Sequence, residues 1–382
     1  MRSFSGPLFT FLVFAGLSVR MSVAQIKSAP SDAAAAIPAS RSGNSGPTIA
    51  LRVSSTMNVA SEMGGAFMSG SKCDGDGNLY IRKYAMDRPL LGPVVKIERD
   101  GRRTALFDPA AFSQLGLDRA DAFSPASDGG LYQVAQSGVL RPRIYVLHFS
   151  SDGTASSPTR LEADFEVYTF AAFGDGDFLL SGVKRDVQDK NDRGRNFTAL
   201  FSSDGRELAQ LTFQDSSQKS LGPSNANSKP AATAGHKETP PAQKQVPDDS
   251  EKSVPMLDLA EAEVGSDGNL YVMRGSSPAL VYVIAPSGKI MKTIRVASPL
   301  PGSRPSAFHV SGNRLAISFQ NEESQSATVV VADAQTGRKI ASYADATGPG
   351  TTFVCYSANE GVFTFLKLGE ANALEVIRAE AQ

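Results

Sequence analysis

Apolar strands in this chain begin straight after polar turns, and six of them do so in closely similar phrases. These are DGDGNLYI (74–81), SDGGLYQV (127–134), GDGDFLLS (174–181), GSDGNLYV (265–272), SGNRLAIS (311–318) and ANEGVFTF (358–365). The first apolar residues after the turns are Leu79, Leu131, Phe178, Leu270, Leu315 and Val362, at intervals of 52, 47, 92, 45 and 47 residues. Recurrence at a near-constant period marks a repeat architecture. The long interval contains residues 215–255, with six prolines, many Ser and Ala, and no aromatic residue. Such a segment has too little apolar surface to offset its ordering entropy, so it is expected to be a disordered insert. Without those 41 residues the interval is 51, in line with the others.

Each repeat carries a second apolar run, usually followed by another turn and a third run, as in VVKIERDGRRTALF (94–107) and LVYVIAPSGKIMKTIRV (280–296). Asp-Gly and Ser-Gly between apolar runs predict hairpins, because Gly tolerates positive φ. A further short strand precedes each first turn, as in LAEAEV (259–264) and SAFHV (306–310). The unit is therefore four short antiparallel strands, which is how a β-propeller blade reads in sequence. The hairpin phrase, clearest as SDGNLYV at 266–272, resembles the six-bladed propellers of the NHL and SMP-30/gluconolactonase-like (TolB-like) group, over about residues 48–382. The resemblance implies an all-β, six-bladed β-propeller. It implies no single function, since such families bind proteins, RNA, metals or lactones on one frame.

The last repeat has only three strands, TTFVCYS, VFTFLKL and ALEVIRAE, before the sequence ends at Gln382. Near the other end, TIALRVSS (48–55) alternates Ile49, Leu51 and Val53 on one face and has no partner nearby. It is expected to complete the last blade and close the ring, which removes two exposed sheet edges; a free N-terminal strand is the other possibility. In a propeller the b–c loops and the connections between blades share one face. The elaborations at 83–93, 108–116, 184–196 and 215–255 all belong to that face, which suggests the working surface, although loops also tolerate neutral insertion. Within 108–116, Asp108 is placed to cap a helix, Pro109 to start it and Gly116 to end it. The loop 184–196 sets Lys184, Arg185, Lys190, Arg193 and Arg195 against Asp186, Asp189 and Asp192, a balance that favours a solvated loop over an anion site.

Composition narrows the functional classes. A formal charge of −1 offers no basic excess for nucleic acid and no polybasic membrane contact. The N-terminus has Arg2, an apolar core over Leu8–Val19 and small residues Ser22-Val23-Ala24 before Gln25, the pattern of a signal peptide spanning residues 1–24. The apolar run is short for a membrane span, although an uncleaved anchor stays open. Residues 25–47 read as a flexible leader, and the product as secreted or periplasmic, with no membrane span after signal removal.

Aligning the innermost strands on the residue after each turn, with one residue fewer in the fifth repeat, sets Lys72, Ser124, Ala171, Glu263, His309 and Cys355 at one level of the central channel. Glu261 and Asp121 lie nearer the loop-rich face. The candidate ligand-binding residues are therefore Lys72, Asp121, Ser124, Glu261, Glu263 and His309, converging as a site for a small polar ligand or a cation; a water-filled channel is the plainer alternative. If a metal binds, Glu263 and His309 are its ligands. Cys73 and Cys355 fall on innermost strands that closure makes neighbours, so a disulfide and two separate buried thiols are both open. Asp74, Asp76 and Asn78 mimic the start of an EF-hand loop, but Leu79 stands where Gly is required, so a hairpin is expected.

GxSxG, HExxH and P-loop motifs are absent, His148 and His236 complete the three histidines, and no Trp offers a sugar platform. No catalytic residue is assigned. The leading expectation is an exported binding scaffold that presents its loop-rich face to a protein or envelope component and needs no cofactor. The alternative is a hydrolase or lyase of the SMP-30 kind with a divalent cation in the channel, although that family's Glu/Asn/Asp constellation does not map onto this chain.

Overall fold

A computed structural model describes residues 47–382, except 66–67, 139–142, 162–164, 185–193, 214–260, 322–326, 345–346, 349 and 371–372. The expected signal peptide, nearly all of the leader, the insert 215–255 and most of the loop 184–196 lie outside the described residues, as does His236.

The chain opens with β1 (Thr48–Asn58) and one helical turn, α1 (Ala60–Met63). Sheets of four antiparallel strands then follow in order. The first is β2 (Met68–Cys73), β3 (Leu79–Lys83), β4 (Val94–Ile97) and β5 (Arg103–Phe107). A 3-10 helix (Pro109–Leu115) leads to β6 (Arg119–Pro125), β7 (Leu131–Ser137), β8 (Arg143–Phe149) and β9 (Thr159–Arg160). The third is β10 (Glu166–Ala172), β11 (Phe178–Lys184), β12 (Arg195–Phe201) and β13 (Glu207–Gln210). The fourth is β14 (Ala262–Val264), β15 (Leu270–Arg274), β16 (Ala279–Ile284) and β17 (Ile290–Val296). The remaining strands are β18 (Arg304–Ser311), β19 (Arg314–Gln320), β20 (Ala327–Asp333), β21 (Lys339–Ala344), β22 (Thr351–Ser357), β23 (Val362–Leu368) and β24 (Leu374–Ala381).

The innermost strands β2, β6, β10, β14, β18 and β22 each touch the next, and β22 returns to β2. The arrangement is an all-β propeller. Hydrophobic clusters lie between successive groups of strands, for example Tyr80, Phe107, Leu131 and Phe149 between the first two sheets and Phe178, Phe201, Val146 and Leu161 between the second and third. Middle strands such as β16 are buried on both faces, which is why they read as continuous apolar runs and not as alternation.

The expected six separate blades are not found. Among the described residues four sheets have four strands each, and the remaining eight strands form one sheet in the order β18-β19-β20-β21-β1-β24-β23-β22. The cause is β1. Leu51–Asn58 pairs antiparallel with β24, but Thr48, Ile49 and Ala50 continue past it and pair in parallel with Ser342, Tyr343 and Ala344 of β21. One strand thus bridges two sheet edges. Leu51 and Val53 share one face, as expected, since their register to Ala381 and Ala379 is unbroken, but only Leu51 is buried: Ile49 is half-buried and Val53 42% exposed. The pairing slips only beyond them, between Val53 and Ser55.

The repeated turn phrase has a local explanation. Asp267 accepts hydrogen bonds from the Asn269 backbone (3.1 Å), the Asn269 side-chain amide (2.8 Å) and the Tyr271 hydroxyl (3.0 Å). In the first repeat the acceptor for Asn78 and Tyr80 is Asp74, two residues ahead of Asp76, the counterpart of Asp267. Gly77 and Gly268 sit at φ 80° and 74°, where a side chain is strained. In both repeats an aspartate of the turn thus accepts from the Asn and Tyr that follow it, so the turn satisfies its own polar groups. The EF-hand mimic is this hairpin.

Candidate functional site

At the end of the axis where the first turns gather, a cavity of about 630 Å³ is walled by Asp74, Ser127, Gly174, Ser266, Gly312 and Asn359, one residue from each turn. Its floor includes Lys72, Ser124, Glu263 and His309. Beyond them lies a pocket of about 20 Å³, where Glu261 and Phe308 join Lys72 and Glu263. This cavity lies at the tight-turn face, opposite the loop-rich face singled out in the sequence.

Lys72 separates the two spaces. It projects from β2 and its Nζ donates to the carbonyl of Ala262 on β14, on the opposite side of the ring (2.8 Å). Burial lowers its pKa, and the charges of Glu261 and Glu263 only partly offset that. The two carboxylates tie β14 to β18. Glu261 accepts from the Phe308 backbone N–H (3.1 Å), and Glu263 Oε2 from that of Val310 (2.8 Å). Glu263 Oε1 accepts a 2.6 Å hydrogen bond from His309 Nδ1, with both side chains largely buried. Burial raises the Glu261 pKa to about 7, against the opposing pull of Lys72 and the Phe308 N–H. For His309 burial acts to lower the pKa, but the charge and hydrogen bond of Glu263 outweigh it and the net shift is upward.

The structure thus places Lys72, Glu261, Glu263 and His309 together. Ser124 is buried beside them, its Oγ accepting from the Ala172 backbone (3.3 Å). Asp121 lies within β6 between Ala120 and Phe123, where the register slips; its side chain is outside the described set. The proposed level holds for five strands: Lys72, Ser124, Ala171, Glu263 and His309 stand opposite Tyr80, Tyr132, Leu179, Tyr271 and Ala316. In β22 the equivalent residue is Tyr356, opposite Phe363, and Cys355 sits one step on, opposite Thr364. The last turn differs in length, which moves the register. Among the described residues no group of three His, Cys, Asp or Glu side chains could hold a metal ion.

Of the two readings of the cysteines, the structure has the disulfide: Cys73 and Cys355 are joined, with Cα atoms 6.1 Å apart. One feature was not legible in the sequence. The Cys73 sulfur also lies 3.8 and 3.7 Å from the two ring nitrogens of His309. The signal for that contact was the adjacency of Lys72 and Cys73, but only folding brings β18 against β2. His148, outside the site, stacks on Tyr132 at 4.5 Å and meets the Ser156 hydroxyl at 2.9 Å.

The chain matches no protein-family model and no curated protein. Among solved structures it is similar to the WD40 domain of Neurospora crassa Pan2, at 10% identity and TM-score 0.43 over 88% of this chain and 98% of that one. It is similar to a protein of unknown function from Bacteroides caccae, at 13% identity and TM-score 0.41 over 72% of this chain and 80% of that one. Hydrazine synthase of Kuenenia stuttgartiensis is a third, at 11% identity and TM-score 0.41 over 79% and 77%. Likenesses this remote carry no function over to this chain.

Proposed function

We propose that this protein is an exported six-bladed propeller, its eight-stranded sheet being two blades fused at their outer edges by β1, and that it works as a scaffold binding a protein or envelope component through its loop-rich face. The observation that carries the reading is the placement of exposed apolar side chains. One set lies on outermost strands: Val53, Leu106, Leu208, Met291 and Ile340. The other lies on or beside the loops of one face: Tyr84, Met86, Leu90, Tyr168, Leu300 and Leu368, with Met86 80% exposed. Apolar groups gathered on one face are the usual mark of an interaction surface. The loop bearing Met86 and Leu90 is held in shape, since Arg88 donates two 2.8 Å hydrogen bonds to the Asp108 carboxylate at the cap of the 3-10 helix.

The test is cross-linking in the native host with the full chain and with the double variant Met86→Asp, Leu90→Asp. The expected outcome is loss of a defined cross-linked partner at unchanged melting temperature. Retention of the same partner by the variant defeats the reading. Export is checked separately, by a mature mass beginning at Gln25 in the secreted or periplasmic fraction.

A further inference from the structure

Cys73 and Cys355 are the only cysteines in the chain, and their disulfide has chemical company that a purely structural bridge does not require. The Cys73 sulfur lies beside the His309 ring, nearly equidistant from both nitrogens at 3.8 and 3.7 Å, placed to feel the charge of an imidazolium. Glu263 holds that ring by its 2.6 Å hydrogen bond to Nδ1, and is itself fixed by the Val310 N–H. Cys73 and His309 both line the 630 Å³ cavity, so a small molecule entering from the turn face reaches both.

We propose that Cys73 and Cys355 form an exchangeable dithiol–disulfide centre for small thiols and disulfides entering the axial cavity, with His309 stabilising the Cys73 thiolate and Glu263 positioning His309. Cys73, on the cavity wall, is the attacking sulfur. In the reduced protein its thiolate attacks one sulfur of a small disulfide RSSR. The S–S bond of RSSR breaks, RS⁻ leaves and takes up a proton, and Cys73 carries a mixed disulfide. The Cys355 thiolate then attacks the Cys73 sulfur, expels the second RS⁻ and restores the Cys73–Cys355 bond. Two electrons pass from the cysteine pair to RSSR, giving two RSH; a small thiol drives the reverse.

An adjacent cation lowers a thiol's pKa from about 8.5 and raises its thiolate fraction. The charged groups around His309 are Glu263 from β14, Asp74 just beyond β2 and Lys72 on β2, with Glu261 acting on Lys72 from the far side. Glu263 and Asp74 both favour the imidazolium, consistent with the raised His309 pKa. Reactivity of Cys73 should therefore persist to lower pH than an ordinary thiol allows, and its pH profile should depend on Glu263.

The experiment uses the full chain with glutathione in its reduced and oxidised forms. Alkylation followed by mass measurement reads the state of the bond, and absorbance at 240 nm reads the thiolate against pH. The expected results are opening of the bond by millimolar reduced glutathione in the folded protein, and a Cys73 pKa at least about one unit below the ordinary thiol value. Cys355→Ser should form a mixed disulfide with oxidised glutathione at pH 6 about tenfold faster than the same variant carrying His309→Ala, a one-unit effect on the thiolate population. Should His309→Ala not fold, Glu263→Gln is to move the pH profile of Cys355→Ser upward. The proposal is overturned if the bond opens only in denaturant, if Cys73 titrates at or above the ordinary value, or if removing His309 or Glu263 leaves rate and profile unchanged.

Discussion

Single residues on the axis set the pH response of this protein. Glu261 titrates near 7 in the fold and near 4.5 in the unfolded chain, so the native state holds the extra proton between those values. Stability from this group is therefore full below pH 4.5 and falls as pH rises to 7. His309 acts in the same sense: its raised pKa adds stability below 6.5 that is lost as pH rises through the folded value. Lys72 acts oppositely, because its lowered pKa returns stability as pH rises toward 10.5. Glu261→Gln removes the first term, worth about 3 kcal/mol at most for a gap of this size. Melting curves at pH 4.5 and 8 should show a smaller loss for the variant than for the parent; equal losses would mean that Glu261 ionises freely. The positions of Lys72, Glu263 and His309 were legible because each stands at a fixed offset from a turn. Their bonding was not, because Glu263 and His309 belong to different repeats 46 residues apart.

Among elements, the 3-10 helix shows how far local chemistry reaches. Asp108, Pro109 and Gly116 were read as cap, start and stop, and the structure places all three so, with Asp108 accepting from Ala110 N–H (2.9 Å) and Gly116 at φ 58°. Local signals sufficed because each acts within one turn. They said nothing of Arg88, which reaches Asp108 from another loop. Asp108→Ala loses the cap and leaves Arg88 without its carboxylate, at a cost of about 1–2 kcal/mol. Asp108→Asn keeps a capping oxygen and should cost less. Denaturant midpoints order the three proteins, and an alanine variant as stable as the parent would remove the cap's importance.

For the whole molecule, closure rests on β1 and on the disulfide between β2 and β22. Arg99 and Glu360 pair across the same seam, and Arg378 Nη2 donates to the Arg99 carbonyl. Leu51 is 1% exposed in a core with Phe353, Phe365 and Ile377, whereas Val53 is solvent-facing. Leu51→Ala should cost about 2–5 kcal/mol. Val53→Ala should fall within about 0.5 kcal/mol, as surface changes do. Thermal unfolding of both tests how deeply closure buries each side chain; similar effects would mean that the two are equally covered.

The sequence by itself determined the units: turn residues and apolar runs act over a few positions, so the four-stranded repeat, its turns and the innermost strands follow from spacing. It also supplied the missing strand of the last unit, because an unpaired apolar strand needs an edge. Only the tertiary structure decided that β1 would bridge two edges, that the axial cavity opens on the turn face, and that Cys73, Glu263 and His309 would meet. Those outcomes depend on how far one strand overruns its partner and how separate sheets rotate about an axis, and neither is encoded in any single repeat.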